Sequence, residues 1–239
     1  CECFPMLRGY MGLTATPAPT ITRGPRFIKG PAFSRAPMAV SPTDPAAEWP
    51  TYRHDAFRSG ATPGTLQGNS PQSLWTATVA RTNRTSLAAD WNDNPFVRGL
   101  LTAPVVAGNI VLVAVPDEHR VTALDATTGK LRWNFLAGGR IDTPPTVEGG
   151  LCLFGAHDGR VYCVSLADGE LAWQFRAAPS DARIPAYGQL ESPWPVPGSV
   201  LVDQGVAYFA AGRHPRSDGG VHVFALHVRT GDVVWEKNV

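Results

Sequence analysis

The 239-residue sequence has no surplus of either charge: 21 Lys and Arg stand against 20 Asp and Glu, a formal net of +1. With no run of Lys or Arg there is no electrostatic footprint for nucleic acid or an anionic surface, so no nucleic-acid partner is expected. No apolar stretch approaches the roughly 20 residues that a membrane helix requires, and no basic-then-apolar leader opens the chain, so no membrane span is expected. Cysteine is sparse. Cys1, Cys3, Cys152 and Cys163 are too few for a disulfide framework in a chain this long. The C-x-C pair at Cys1 and Cys3 lacks the second Cys or His pair of a four-ligand zinc site, and no metal ligand is assigned.

What the sequence has in quantity is turn residues, 24 Gly and 22 Pro set among short Val, Leu and Ile runs. That texture predicts an all-β chain of short strands and tight turns. The chain opens on Cys1 rather than Met and stops just after an expected last strand, so it reads as a piece of a longer protein. Residues 1–48, ending in a Pro, Thr and Ala-rich run, read as a linker and the remnant of an upstream region. From Trp49 the segment WPTYRHDAFRSGATPG reads as an entry strap, and the first regular strand is expected at Leu74 to Val79.

The chain then repeats itself. ALDATTGKLRW at 123–133 aligns with CVSLADGELAW at 163–173 and ALHVRTGDVVW at 225–235, with Gly129, Gly169 and Gly231 at one offset and Trp133, Trp173 and Trp235 at another. The glycines supply the positive φ of a tight hairpin; the tryptophans offer a broad ring and one N–H donor suited to a neighbouring unit's backbone. Turn residues divide the chain into units of four strands, and the spacing from Trp133 to Trp173 is that of a propeller blade rather than a helical repeat. Strands are expected at about Ala103 to Ala107, Ile110 to Val115, Arg120 to Asp125 and Lys130 to Leu136; at Pro144 to Val147, Leu151 to Ala156, Arg160 to Leu166 and Glu170 to Arg176; and at Ser199 to Val202, Val206 to Ala211, Gly220 to Leu226 and Asp232 to Glu236. The corresponding blades are about 103–139, 140–179 and 199–239, with a partial blade at 49–79.

Ala123, Asp125, Thr128, Gly129 and Trp133 match in full the A-x-D-x-x-T-G-x-x-x-W motif by which PQQ-like, quinoprotein-type β-propellers dock their blades. The later copies depart from it: Ser165 and His227 replace the Asp, and Asp168 replaces the Thr. The W-P-x-x-R start of the strap, QLESPWPVPGSVLV and YFAAGRHPRSDGG extend the likeness, and Trp49 to Glu236 resembles the large BamB-like PQQ-binding-like repeat proteins of planctomycete-type genomes. The resemblance implies an all-β propeller and an extracytoplasmic setting, periplasmic or cell-envelope. Its members divide into dehydrogenases that hold PQQ and Ca²⁺ on the propeller axis and scaffolds without enzymatic activity. A vicinal Cys-Cys pair marks the dehydrogenases, and Cys152 and Cys163 do not form one. No cofactor is therefore expected, PQQ and Ca²⁺ entering only if the chain is a piece of a dehydrogenase, and no catalytic residue is assigned.

Three blades and part of another cannot close a ring, so an open arc is expected, completed by blades from flanking chain. Every expected hairpin at one end of the blades is short. The long connections, Ala80 to Thr102, Ala177 to Gly198 and Gly212 to Gly219, share the other end, which is the expected binding face for a protein, peptide or glycan. Its candidates are Trp91 and Arg98; Arg183, Tyr187, Gln189, Glu191 and Trp194; and Arg213, His214, Arg216 and Asp218. Asp90 and Asp93 read as turn formers, since no EF-hand-like spacing follows. An Arg183–Glu191 ion pair is expected to pin the second loop and Trp194 to anchor it, while His214 lacks a nucleophile partner. His157, in a His-Asp-Gly turn, reads as solvated. A two-residue Asp158-Gly159 turn would set Cys152 opposite Ser165 and Cys163 opposite Phe154, both thiols on one face and buried as small hydrophobes. The reading is a non-enzymatic scaffold, with a dehydrogenase fragment or a structural spacer as the alternatives.

Overall fold

The structure, a computed structural model, describes residues 24–35, 48–65, 70, 72–80, 100–186 and 189–239. Fifteen strands are present among them: β1 Phe27–Lys29, β2 Val105–Ala107, β3 Ile110–Val115, β4 Arg120–Asp125, β5 Leu131–Leu136, β6 Thr146–Glu148, β7 Leu151–Gly155, β8 Arg160–Ser165, β9 Leu171–Arg176, β10 Ile184–Ala186, β11 Gln189–Glu191, β12 Leu201–Asp203, β13 Val206–Ala211, β14 His222–His227 and β15 Val233–Asn238. They form the antiparallel sheets β2-β3-β4-β5, β6-β7-β8-β9 and β12-β13-β14-β15, plus a β10-β11 hairpin. This is the all-β partial propeller expected, with the expected strands of the three blades displaced by two residues or fewer. Among the described residues no helix is long and apolar enough to cross a membrane.

The three blades repeat one docking frame. In each, the sheet slips register after the small residue facing the tryptophan: Ala123 faces Trp133, Cys163 faces Trp173 and Ala225 faces Trp235. Trp75 Nε1 donates to the Ala126 carbonyl at 2.8 Å, Trp133 Nε1 to Leu166 at 2.9 Å and Trp173 Nε1 to Val228 at 2.9 Å. The glycine at the turn serves twice. Gly129 and Gly169 have φ of 69° and 73°, and a Cβ on either would stand 2.6 Å from the ring of Trp75 or Trp133. Asp125 sets the first turn, its Oδ1 accepting from the backbone N–H of Thr127 and Thr128 and its Oδ2 from Arg132.

The middle blade is covered on both faces. Cys152, Phe154, Tyr162 and Val164 pack toward the first blade with Val121, Trp133 and Ile141. Leu153, Val161, Cys163, Trp173 and Phe175 pack toward the third with Phe209, Phe224 and Leu226. This overturns the expected placement of the cysteines. Ala156 N–H donates to Arg160 at 3.0 Å across three residues, His157-Asp158-Gly159, instead of two. The pairs are accordingly Cys152 with Val164 and Leu153 with Cys163. A one-residue change of register moves a side chain to the opposite face, so the free, buried thiols lie in different cores.

Two further segments depart from expectation. Leu74 to Val79 forms no paired strand, although Trp75 within it docks as the repeat tryptophans do. Inside the region read as linker, β1 pairs antiparallel with β9 and gives the middle blade a fifth, outer strand. From Trp49 the chain runs along the β2, β6 and β12 edges of the three blades. Trp49 bridges Val106 of β2, the Pro50 carbonyl accepts from Val147 of β6 at 2.8 Å, and Arg58 reaches Ser199 ahead of β12 at 3.4 Å.

Candidate functional site

The connections at the long-loop end are joined by a chain of alternating charges. It begins with Asp117, in the short 3-10 turn between β3 and β4, and passes to Arg140, which is 0 % exposed. Arg140 gets inside because two glycines precede it: a Cβ on Gly139 would meet the Asp158 backbone nitrogen at 2.4 Å. Arg140 Nε stands 2.7 Å from Asp142 Oδ1, and Asp142 Oδ2 stands 2.8 Å from His157 Nε2. The other ring nitrogen of His157, Nδ1, lies 3.1 Å from Glu191 Oε2. Arg213, between β13 and β14, closes the chain on Glu191 and also reaches the Ser192 carbonyl at 3.5 Å.

His157 is thus a buried member of this cluster and not a solvated turn residue. Burial alone would lower its pKa, but the carboxylates of Asp142 and Glu191 outweigh that and hold it up at about 9. Burial would conversely raise Asp142 and Glu191, and His157 with the neighbouring arginines holds both below the ordinary carboxylate value. At neutral pH the imidazole is a cation between two anions and has no lone pair to serve as a general base. Backbone bonds reinforce the junction: His157 N–H donates to Arg140 at 2.8 Å and Ser192 N–H to His157 at 2.7 Å.

The sequence candidates divide accordingly. Glu191 and Arg213 come together, so Arg213 and His157 replace the expected Arg183 as partners of Glu191; Arg183 is exposed. Gln189 Oε1 meets His119 Nε2 at 2.8 Å, tying the β10-β11 hairpin to the first blade. Trp194 packs on the core and donates from Nε1 to the Asp218 carbonyl at 2.6 Å, as an anchor would. His214 Nδ1 accepts from the Arg216 N–H at 3.0 Å, and Arg216 and Asp218 are exposed. Trp91, Arg98 and Tyr187, with Asp90 and Asp93, lie outside the described residues. Sequence reasoning missed Asp117, Arg140 and Asp142; the Gly-Gly-Arg step at 138–140 was the available signal.

The buried carboxylates of this face are already paired with Arg140, His157 and Arg213. Cys152 and Cys163 belong to different cores, and no group of three or more His, Cys, Asp or Glu among the described residues could hold a metal ion.

Successive four-stranded antiparallel sheets, each joined to the next by a Trp N–H on a turn carbonyl, make this a PQQ-like β-propeller protein. The chain belongs to the family described as outer membrane protein assembly factor BamB, whose pattern it matches over residues 65–239. Outer membrane protein assembly factor BamB of Yersinia pestis is 25% identical over 148 residues, covering 58% of this chain and 34% of that protein. The dehydrogenase subunit of the quinone alcohol dehydrogenase of Acetobacter aceti is 30% identical over 149 residues, 58% of this chain and 19% of that one. The chain therefore spans about a third or less of the relatives' length. In fold it is similar to the quinohemoprotein alcohol dehydrogenase of Comamonas testosteroni, at TM-score 0.54 and 19% identity over 86% of this chain and 30% of that one.

Proposed function

We propose that this chain is part of a non-enzymatic propeller scaffold outside the cytoplasm, whose long-loop face receives a protein partner. The observation that supports it is the ion-pair chain from Asp117 to Arg213. It uses the buried charge of the face to hold three blades' loops in one arrangement, which lowers the ordering cost of binding. Above it the β10-β11 hairpin carries Leu190, 65% exposed, an apolar side chain on a rigid base. The name of the BamB relatives, assembly factors for outer membrane proteins, supports a protein rather than a glycan as the partner.

The test is photo-crosslinking in the producing cells, with a photoreactive residue at Leu190 or Arg216 on the long-loop face and at Gln204 on the opposite end. Protein adducts from the first two and none from Gln204 are expected; adducts equal at both ends, or absent from all three, overturn the reading. Adding PQQ with Ca²⁺ to the full-length protein is expected to leave no bound-quinone absorbance, and alcohol-dependent dye reduction would establish the dehydrogenase alternative instead.

A further inference from the structure

The outer edge of the second blade carries an arrangement that the repeat does not require. At two blade junctions the ring over the turn glycine is the preceding tryptophan, Trp75 on Gly129 and Trp133 on Gly169. At the third junction Trp173 still donates to Val228, yet the atoms nearest a Cβ on Gly231 belong to Phe27, at 2.2 Å. Phe27 comes from β1, and its ring lies 6.1 Å from that of Trp173. The neighbouring Arg26 points the same way. Its guanidinium stands 4.8 Å from the Phe175 ring of the second blade and 5.2 Å from the Phe224 ring of the third, and it pairs with Glu236 of β15 at 2.7 Å.

The backbone of this segment meanwhile belongs to the second blade. Phe27, Ile28 and Lys29 face Phe175, Gln174 and Trp173, and Arg176 N–H donates to the Arg26 carbonyl at 2.7 Å. Past the strand, Gly30 N–H donates to Ala172 and Ala32 N–H to Leu171, where a Cβ on Gly30 would stand 2.1 Å from the Leu171 carbonyl oxygen. Arg35 ends the segment on Asp168 at 2.9 Å and Glu170 at 2.6 Å. Those acids are particular to this blade. The equivalent positions of the first blade are Thr128 and Lys130, and of the third Thr230 and Asp232, so only the second presents two carboxylates to Arg35.

We propose that the edge of β9, the slot over Gly231 and the carboxylates of Asp168, Glu170 and Glu236 form a binding site for an extended, basic polypeptide strand carrying an Arg–aromatic pair. Residues 24–35 occupy it as an intramolecular ligand. Strand addition supplies the backbone bonds, and the Phe27 slot with the three carboxylates supplies selectivity. Because the ligand's backbone and Arg35 are held by the second blade while Arg26 and Phe27 reach the third, occupancy locks that junction. The short tether raises the effective concentration of the resident strand to the millimolar range, so a competing strand enters only when the tether is cut or the strand is weakened.

The experiment places a protease recognition sequence within residues 37–46 of the full chain, cuts the folded protein, and follows the N-terminal fragment by size exclusion. The fragment is expected to co-elute with the propeller and to exchange with a fluorescent peptide of residues 22–36. A peptide with Phe27→Ala, which loses the ring that fills the slot, is expected to compete at least about tenfold less well. Release of the unaltered fragment on cutting, or equal competition by both peptides, overturns the proposal. A concentration-dependent dimer of the uncut chain would show the strand docked on a second copy and overturn intramolecular occupancy. Cutting after folding separates the result from any failure of a variant to fold. The readout is also independent of crosslinking at the long-loop face.

Discussion

His157 and Glu191 face each other at 3.1 Å from different connections of the middle blade, while the other nitrogen of the same ring stands 2.8 Å from Asp142. One imidazolium therefore joins the loop that enters the second blade to the loop that leaves it.

The contribution of this junction to stability depends on pH in both directions. The pKa of His157 is raised to about 9, so its contribution is fully present below the ordinary histidine value and is lost as pH rises through about 9. The pKa values of Asp142 and Glu191 are lowered, so theirs is present above the ordinary carboxylate value and is lost as pH falls further. Urea midpoints are expected to fall on either side of a neutral plateau, with the alkaline fall absent in H157Q. An alkaline fall of equal size in that variant contradicts the assignment.

Arg140→Ala leaves Asp142 buried beside a single cation, and loss of one partner of a buried pair typically costs about 3–5 kcal/mol. Arg216→Ala, an exposed change on the same face, is expected to stay within about 0.5 kcal/mol of the parent. Denaturant unfolding of the two variants measures the contrast, and similar values for both would contradict the buried network.

Gly169→Ala and Gly149→Ala both place a side chain at positive φ, of 73° and 54°. That strain is worth about 1–2 kcal/mol in either case. Only at Gly169 does the new methyl also meet the Trp133 ring, at 2.6 Å, whereas nothing lies within 4 Å at Gly149. Overpacking adds about 1–3 kcal/mol, so Gly169→Ala is expected to be the more destabilising, with a lower thermal midpoint. Equal shifts would mean that the indole does not press on the turn.

Burial pushes the thiol pKa values of Cys152 and Cys163 up, and the two point into different cores. In a chain with Cys1 and Cys3 replaced by Ser, neither thiol is expected to react with an aromatic disulfide reagent until the protein unfolds, and oxidant is expected to form no link between them. Two thiols titrating in the native state would contradict their burial.

The strand pattern was legible in the sequence because turn chemistry is local. Val206 to Ala211 was read to the residue, and Ile110 to Val115 likewise, since Gly and Asn at positive φ bound such strands wherever they occur. The His157 turn is not legible at this level: a three-residue and a two-residue turn fit the same His-Asp-Gly, and the three-residue turn places Cys152 and Cys163 on different faces. His157 itself was missed for another reason. Its partners lie in the connections before and after its blade, and no local pattern records which loops converge.

By itself the sequence determined the blade frame: hairpins where Gly forces positive φ, a tryptophan at a constant offset, and short turns collected at one end. These are consequences of backbone geometry within about forty residues of chain. Only the tertiary structure decided which charges meet in the Asp117 to Arg213 chain, and that a segment resembling a linker lies between two blades with Phe27 over Gly231. Ion pairs and strand addition join positions far apart in the chain, and the energy that selects them arises when folding removes both partners from water.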